Sequence, residues 1–524
     1  MAFSKTPEGD THNVKRVPAV GTAFLVPNVT DAIPGTLNYY NCFPHVEKQF
    51  GAQPKFSVQK REPYISALSG TTGANVNASF SRWTISAVND DNIYFARNNT
   101  YYYAQYSGSG SVTITSIGTY TNAYKTAVTQ GINSSNERRI IAADATTINT
   151  WLEDGSGFTT TAITPSIVPT GGLVYLDGYL FAIATNRRIY NSGAGGVFTT
   201  WATTNFIDAE IYPDMSLYLA KHRNHLVVFG ESSTEFFYDA AIEVGSPLSR
   251  QEQYASKIGA HIVEGEYKAT CYVADDIYFI GKTDNETLGL GRVRDFKVEI
   301  LPSAALDQVL NSPTDNRIFS IETWTVNNVP QVLIKISKGG TGEPTGIVYN
   351  PETESWWTID MSDIGGNVIT TGGFGDLVIG TQVFNKQWSS LSARYPFFLT
   401  CGSLRESATI TVKYPDKDWT TSNTAYVWTD NIDMDVNRWK HVYKVAAIGA
   451  YGANVLTLSF CPNNIYNTYT TVTPTYTQST IGADNDITWT NLGQFRQFSL
   501  RMQMTGAAPA AHLGFEVGYN MKMQ

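Results

Sequence analysis

The chain has 524 residues, of which 42% are hydrophobic and only 16% charged, and its formal net charge is −9. This length predicts two or three domains, or one large repeat domain with additions, and the composition excludes a disordered chain. The acidic balance argues against a protein that grips nucleic acid by neutralising phosphates, although such a protein can still surround it.

The N-terminal sequence MAFSKTPEGDTHNVKR is polar and lacks the apolar core of a signal peptide. No run of about 18 apolar residues occurs along the chain, so we expect no membrane span. Residues 1–64 contain many prolines, among them Pro18, Pro27 and Pro34, and show little hydrophobic periodicity. We therefore expect residues 1–64 to form an extended arm that lies on a neighbouring subunit or on the protein's own surface.

A strand, a tight polar turn and a second strand recur between residues 65 and 395. The strand pairs begin 40 to 55 residues apart, at Ile93, Ile140, Leu180, Leu226, Ile277, Val332 and Val378. Strand pairs at this period are typical of propeller blades, and one of the seven fits a flanking sheet equally well. The sequence therefore predicts an all-β protein with a six- or seven-bladed β-propeller over residues 65–395.

Two further regions complete the predicted organisation. Within PSAALDQVLNSP (302–313), Ser303 is suited to cap a short helix. Residues 396–524 are rich in strand-forming residues but lack the blade spacing. We expect them to form a separate C-terminal β domain, of which a sandwich is one form.

One segment comes within a residue of the G-x-S-x-G nucleophile motif. Gly230-Glu231-Ser232-Ser233-Thr234 has threonine where the motif requires its last glycine. The motif also requires a helix after the serine, whereas TEFFYDA follows here and predicts a strand. We interpret Ser232 as a hairpin residue and not as a catalytic serine.

Other residue types with chemical potential give weak patterns. His222 and His225 have H-x-x-H spacing but no third zinc ligand nearby, which favours a solvated or hydrogen-bonded pair over a metal site. The four cysteines, Cys42, Cys271, Cys401 and Cys461, are far apart in sequence, and we expect reduced, buried thiols. The glycine-rich segments 289–294 and 339–346 lack the endings of phosphate-binding loops and suit turns.

Acidic residues cluster without forming a recognisable site. DNIDMDVNRW (430–439) and GADNDITW (482–489) do not fit the EF-hand pattern, and solvated strands explain them better than calcium. Asp90–Asp91 and Asp275–Asp276 are adjacent pairs whose side chains point to opposite faces of a strand. They make poor acid and base partners for glycoside hydrolysis.

Two arginine doublets, Arg138–Arg139 and Arg187–Arg188, occur in successive repeats. Exposed strand ends are the simpler interpretation. The alternative is a ring of arginines on one propeller face that meets an acidic partner or a phosphate backbone. No motif reaches the level of an active site, so we predict no catalytic, cofactor-binding or metal-binding residues and a structural or interaction protein.

The order of several segments resembles the tail hub, or nozzle, proteins of short-tailed bacteriophages, also called packaged-DNA stabilisation proteins. Lys60-Arg61-Glu62-Pro63 departs from the Lys-Arg-Pro-Gly turn of that family, and Glu231 is an insertion in its Phe-Gly-Ser-Ser-Thr turn. The matching segments are YYNCFPHVEKQFGAQPKFSVQKREPY (39–64), LVVFGESSTEFFY (226–238), YASKIGAHIVEGEYKATCYVADDIYFIG (254–281), ILPSAALDQVL (300–310), GIVYNPETESWWTID (346–360) and WTNLGQFRQFSLRMQMTG (489–506).

This resemblance implies a homo-hexameric ring in the virion tail, assembled in the host cytoplasm and placed below the portal and adaptor ring. DNA would pass through its lumen without sequence-specific binding, and the ring would retain the packaged genome until ejection. Docking of tail fibres or a needle stays open. The alternatives are a propeller-type glycosidase or glycan-binding tail protein that acts on the host surface, and a cellular propeller that binds proteins.

Overall fold

Backbone hydrogen bonds between neighbouring strands organise the part of the chain that the computed structural model describes. The described residues are 13–18, 39–47, 55–61, 64–67, 76–83, 91–97, 99–106, 112–120, 127–168, 172–212, 214–261, 269–283, 285–303, 306–307, 310–311, 317–326, 329–337, 344–360, 378–379, 386–387, 394–395, 398–401, 410–415, 419–429, 439–462, 470–471, 476–477, 487–496 and 498–521.

The chain divides into two compact units that interleave along the sequence. Unit 1 comprises Met1–Tyr64, Ile347–Asp360 and Asp416–Gln524, and unit 2 comprises Ile65–Gly346 and Met361–Pro415. The first strands of the chain are β1 (Asn13–Pro18), β2 (Tyr39–Tyr40), β3 (Cys42–Glu47), β4 (Lys55–Lys60) and β5 (Tyr64–Ala67).

Unit 2 begins with four consecutive sheets of four antiparallel strands, and within each sheet the strands lie in sequence order. The second and third strands of each sheet are the strand pairs that the sequence repeat predicted. The strands are β6 (Val76–Trp83), β7 (Asp91–Arg97), β8 (Thr100–Tyr106), β9 (Val112–Thr119), β10 (Ala127–Ile132), β11 (Arg138–Ala143), β12 (Thr147–Leu152), β13 (Thr159–Ala162), β14 (Leu173–Leu176), β15 (Tyr179–Ile183), β16 (Ile189–Ser192), β17 (Trp201–Ile207), β18 (Ser216–His222), β19 (His225–Gly230), β20 (Thr234–Asp239) and β21 (Leu248–Arg250).

A fifth sheet and a hairpin follow in unit 2. One turn of 3-10 helix (Glu252–Tyr254) leads into the fifth sheet, and the long hairpin of β27 and β28 comes after it. Between them the Ser303 hydroxyl accepts a hydrogen bond from the Leu306 amide at 3.1 Å, which confirms the predicted cap. The strands are β22 (Gly259–Ala260), β23 (Thr270–Val273), β24 (Asp276–Lys282), β25 (Leu288–Arg294), β26 (Lys297–Leu301), β27 (Arg317–Val326) and β28 (Val329–Ser337).

The last sheet of unit 2 is built from distant parts of the chain. Its strand order is β31-β34-β35-β5, so a strand from the start of the unit completes a sheet made at its end. The strands in this region, including two that belong to unit 1 in whole or in part, are β29 (Pro344–Asn350), β30 (Ser355–Asp360), β31 (Val378–Ile379), β32 (Lys386–Gln387), β33 (Arg394–Tyr395), β34 (Phe398–Cys401) and β35 (Ile410–Pro415).

Apolar side chains fill the space between each of the first four sheets and the next. Separate buried clusters join the first sheet to the second, the second to the third, the third to the fourth and the fourth to the fifth. The rings of Tyr101 and Trp151 lie 4.9 Å apart in the first cluster, and those of Phe229 and Phe279 lie 4.5 Å apart in the fourth. Consecutive sheets therefore stack face to face.

Contacts extend the stack in both directions, because β31 of the last sheet contacts β6 of the first and β23 of the fifth sheet contacts β27 of the hairpin. Six sheets, together with the β27–β28 hairpin that continues into β29, agree with six or seven blades. The predicted all-β propeller is confirmed for the part of the chain that the structure describes.

Unit 1 takes its strands from both sides of the propeller sequence. One sheet has the order β3-β4-β43-β37-β41 with β1 paired to β43, and another set of strands runs β30-β2-β36-β42-β38-β39. The remaining strands are β36 (Asn423–Trp428), β37 (Lys440–Ala450), β38 (Val455–Pro462), β39 (Thr470–Thr471), β40 (Tyr476–Thr477), β41 (Ile487–Phe495), β42 (Phe498–Gly506) and β43 (Ala511–Met521).

Alternation of side chains explains the core of unit 1. On β38 and β42, Leu456 lies opposite Met504 and Leu458 lies opposite Met502, and all four are fully buried. The expected arm also enters this core, since Phe43 is fully buried and its ring lies 5.5 Å from that of Trp357. The division into 1–64, 65–395 and 396–524 stays a prediction, because packing into units does not show which segments fold independently.

Candidate functional site

The segment closest to a catalytic serine motif is the turn between β19 and β20. The Gly230 amide donates to the Ser233 carbonyl at 2.7 Å. The Asp214 carboxylate accepts hydrogen bonds from the Ser232 amide at 2.8 Å, from the Ser232 hydroxyl at 3.1 Å and from the Ser233 hydroxyl at 3.0 Å. Strand β20 begins at Thr234, where a nucleophile elbow would need a helix. The hairpin interpretation of Ser232 is confirmed.

The local histidines cannot serve Ser232 as a general base. His225 begins β19 and Gly230 ends it, so the histidines and Ser232 lie at opposite ends of that strand. An extended strand of this length separates its ends by roughly 16 Å, far beyond a hydrogen bond. The hydroxyl of Ser232 instead serves to hold the loop that contains Asp214 against the turn.

The two histidines flank a two-residue turn and form an aromatic contact with the neighbouring sheet. His222 and His225 are opposite one another at the end of the β18–β19 hairpin. The Phe296 ring lies 5.1 Å from the His222 ring and 4.7 Å from the His225 ring, edge to face. Within the turn, Arg223 forms an ion pair with Asp295 at 2.5 Å. The predicted pair is therefore packed around an aromatic ring.

Burial lowers the pKa of both imidazoles. For His222, burial is the main cause, and the charge of Arg223 lowers the pKa further. The Asp275 backbone and the carboxylates of Asp276 and Asp295 act in the opposite direction. For His225 burial again dominates, followed by the charge of His222. Both rings are therefore neutral near pH 7.

No metal centre is evident among the described residues, where no three His, Cys, Asp or Glu side chains come together to hold an ion. Cys42 and Cys271 are buried reduced thiols, as predicted, and burial raises the pKa of Cys42. The two predicted acidic segments, 430–438 and 482–486, and Asp90 lie outside the described residues, as do the side chains of Asp91, Cys401 and Cys461.

The adjacent carboxylates of Asp275 and Asp276 have different surroundings. Asp276 accepts a hydrogen bond from Arg294 Nε at 2.8 Å and forms an ion pair with that guanidinium at 2.5 Å. Asp275 is exposed in the turn between β23 and β24. One member of the pair is thus neutralised and the other is solvated, which does not suit joint acid and base chemistry.

The arginine doublets do not occupy equivalent places. Arg138–Arg139 begin β11, the second strand of the second sheet, whereas Arg187–Arg188 follow β15, the second strand of the third sheet. The doublets therefore lie at opposite ends of corresponding strands. The hypothesis that they form one ring on one face of the propeller is wrong for these two pairs.

Two of these arginines are also engaged within their own sheets. Arg139 forms an ion pair with Glu137 at 2.9 Å and donates to the Gly157 carbonyl at 2.9 Å. Arg188 forms an ion pair with Asp208 at 3.2 Å and lies 4.1 Å from the centre of the Phe206 ring. Local bracing of the sheets accounts for both side chains.

A buried carboxylate, Glu235, escaped the sequence analysis. Its side chain is 1% exposed, forms an ion pair with Arg250 at 2.9 Å and accepts a hydrogen bond from the Ile211 amide at 2.9 Å. Burial raises the pKa of Glu235 and outweighs the opposing effects of the Ile211 amide and Arg250. The sequence signal that could have revealed Glu235 was a single charged residue inside the otherwise apolar strand TEFFY. The contacts fix the segment between the third and fourth sheets.

A buried lysine in unit 1 also went unnoticed. Lys60 is 1% exposed, and its ammonium donates to Asn454 Oδ1 at 2.6 Å and to the Gly506 carbonyl at 2.7 Å. Burial, and then the charge of Arg61, lower the pKa of Lys60 to about 7. Its partners are 394 and 446 residues away, so no local sequence signal could have revealed them.

In the described part of the chain, no helix has the length and apolarity needed to cross a bilayer. No curated protein matches the chain. Among solved structures, BBS1N in complex with ARL6DN is similar at 10% identity and a TM-score of 0.39, over 68% of this chain and 98% of that one. YCF48 from Cyanidioschyzon merolae is similar at 10% identity and a TM-score of 0.38, over 67% and 98%. At TM-scores this low, the similarity says nothing about the function of this chain.

The stacked four-stranded sheets agree with a family model that covers the same region. The model Phage_stabilise, described as Bacteriophage P22 Gp10, beta-propeller, matches residues 65–340. This match spans more than half of the chain and begins within β5, the strand that completes the last sheet. The chain therefore belongs to the Phage_stabilise family of bacteriophage β-propeller proteins, with a structural, DNA-stabilising role in the phage tail.

Proposed function

We propose that this protein is the nozzle of a short bacteriophage tail, a homo-hexameric ring that retains packaged DNA and lets it pass at ejection. The family match over residues 65–340 is the observation that carries the proposal. The portal and adaptor ring are its partners on the side of the capsid, and tail fibres or a needle are candidates for the other side. The site of action is the virion tail, after assembly in the host cytoplasm.

The packing of unit 2 supports a role that requires mechanical stiffness. Each of the first four sheets shares a buried apolar cluster with the next, and the last sheet takes a strand from the beginning of the unit. Tightly packed sheets of this kind resist deformation, because sliding one sheet would break apolar contacts on both of its faces. Such stiffness suits a conduit that confines DNA under pressure.

The charge of the chain supports passage of DNA without adhesion. Each chain carries a formal charge of −9, so six copies carry −54. A lumen with the same sign as DNA repels phosphates and gives no counterion-release affinity. A ring structure whose lumen is lined mainly by lysine and arginine would contradict this part of the proposal.

We further propose that the protein has no catalytic activity, no cofactor and no metal. The polar groups that most resembled catalytic residues serve the fold: Ser232 binds Asp214 within a turn, and Asp276 pairs with Arg294. The conduit would therefore guide DNA by its shape and not through a phosphate-binding motif.

The mass of the purified protein in solution tests the proposal most directly. Light scattering is measured on the protein alone and again with the purified adaptor ring of the same phage. We expect a hexamer, or a monomer that becomes hexameric only on the adaptor. A monomer that ignores the adaptor would contradict the nozzle proposal, and cleavage or binding of host-surface glycan would then be the next measurement.

A further inference from the structure

The turn between β25 and β26 places Phe296 in a backbone conformation that bulky residues disfavour. Asp295 and Phe296 are the two central residues of the turn, and both have positive φ, 48° and 63°. Two-residue turns with positive φ at both positions favour Asn-Gly or Asp-Gly, and a bulky residue with positive φ is uncommon. Tertiary contacts must therefore hold Phe296 in place.

Phe296 is held by an aromatic pocket supplied by the fourth sheet and by the segment that follows it. Its ring stacks on Tyr254 at 4.7 Å with an interplanar angle of 15°, and it lies 5.8 Å from the Phe236 ring. His222 and His225 close the pocket from the β18–β19 turn. Phe296 thus connects the fifth sheet to the fourth, and aromatic packing is the main contact that keeps this turn in place.

Charged groups surround this pocket unevenly. Arg223 lies between the two histidines in sequence, 5.8 Å from the Phe296 ring centre, and pairs with Asp295 on the exposed side. On the fifth sheet, Asp275 is solvated and the Asp276 carboxylate is already paired with Arg294. His225 Nδ1 contacts the Asn224 amide oxygen at 2.9 Å, a neutral group. New positive charge on the histidines would therefore add to that of Arg223 beside an apolar ring.

We infer that the Asp295–Phe296 turn is an acid-released latch between the fourth and fifth sheets, closed while His222 and His225 are neutral and opened by their protonation. An imidazolium needs water or a counter-ion, and the closed pocket offers His222 little of either. Opening hydrates both rings and lets the backbone of Phe296 leave its disfavoured conformation. The ion pair between Arg223 and Asp295 is exposed and screened, so it holds the turn only weakly.

The direction of the pH dependence follows from the lowered pKa of both histidines. The open turn exposes imidazoles that take up protons near pH 6.5, whereas the closed turn resists them. The latch is therefore fully stable above about pH 6.5 and loses stability as the pH falls below that value. Each pH unit over which one imidazole must charge changes the opening equilibrium by about tenfold.

Hydrogen exchange measured by mass spectrometry tests the latch on the full-length protein. Protection factors, which remove the intrinsic pH dependence of exchange, are compared at pH 7.5 and pH 5.5. In the wild type, we expect protection of residues 293–298 to fall by about tenfold or more, while β10 to β13 in the second sheet stay unchanged. In the double variant His222→Gln and His225→Gln, the fall should disappear.

The matched control is His441→Gln on β37 of unit 1, which should keep the wild-type response. Equal protection of residues 293–298 at both pH values in the wild type, or an equal fall in the double variant, would overturn the inference. If the double variant does not fold, exchange of the imidazole C2 protons in the wild type decides. Titration of His222 and His225 at or above pH 6.5 would then contradict the latch.

Discussion

Lys60 shows at the scale of one residue how unit 1 joins the two ends of the described chain. Its ammonium bonds the side chain of Asn454 and the backbone of Gly506, while its own backbone amide donates to the Ala510 carbonyl at 2.9 Å. A buried cation without a carboxylate among these contacts loses hydration that neutral oxygens replace only in part. The lowered pKa of Lys60, about 7, records that loss.

This pKa predicts that the protein becomes more stable as the pH rises above 7. The unfolded chain keeps the Lys60 proton up to pH 10 or so, whereas the folded chain releases it from about pH 7. The free energy of unfolding should therefore rise between pH 7 and 9, by at most about 1.4 kcal/mol per pH unit. Urea unfolding of the wild type and of Lys60→Met measures this slope, which the variant should lack.

The control for this prediction is Lys221→Met, because Lys221 is exposed on β18. Its pH dependence should equal that of the wild type. If the free energy of unfolding of Lys60→Met rises with pH between 7 and 9 as steeply as that of the wild type, deprotonation of Lys60 does not cause the pH dependence.

At the scale of elements, the segment between β17 and β18 decides how two neighbouring sheets are joined. Arg250 on β21 donates to the Asp208 carbonyl at 2.6 Å, and Glu235 on β20 accepts from the Ile211 amide. Since Glu235 and Arg250 also pair with one another, strands of the fourth sheet fix the first half of this segment. The connection is thus held by a partly buried ion pair and not only by apolar packing.

We predict a strong energetic coupling between Glu235 and Arg250. A double-mutant cycle with Glu235→Gln and Arg250→Gln, followed by urea unfolding, should give a coupling of about 1 to 3 kcal/mol. The matched pair is Arg188 and Asp208, whose side chains are 44% and 26% exposed. Screening by water should hold that coupling below about 1 kcal/mol. Equal couplings for the two pairs would refute the special role of Glu235.

The elements themselves were the most predictable part of the fold. Alternating apolar residues and polar turns predicted the hairpins that begin near Ile140, Leu180 and Leu226, because strand pairs that follow one another leave a local pattern. The same reasoning placed Ser232 in a turn. Phe296, in contrast, adopts a positive φ that its residue type disfavours, and only the aromatic pocket of another sheet explains it. Lys60 and Glu235 likewise depend on partners that local patterns do not show.

At the scale of the whole molecule, closure of unit 2 depends on β5. This strand lies beside β35, while β31 at the other edge of the same sheet contacts β6 of the first sheet. Because β5 comes from the start of the unit and pairs within its last sheet, it links the first and last parts of the propeller sequence. Without it, the edge of β35 would be exposed.

We predict that the double variant Ile65→Pro and Ser66→Pro opens this sheet. Proline cannot donate to a strand ladder, and adjacent prolines remove a donor whichever face of β5 pairs with β35. Hydrogen exchange should show lower protection in β34 and β35, and thermal unfolding should begin several degrees lower. Protection in β10 to β13 serves as the internal reference. Unchanged protection of β34 and β35 would mean that β5 does not hold the closure.

The position of β5 also bears on how the protein is made. Synthesis on the ribosome delivers β5 first and its partner β35, with the rest of that sheet, more than 300 residues later. The nascent chain must therefore carry an unpaired strand edge through most of translation, a state that favours aggregation or chaperone binding. A polypeptide interrupted before residue 415 cannot complete the last sheet, so only fully translated propellers would be competent to enter a virion.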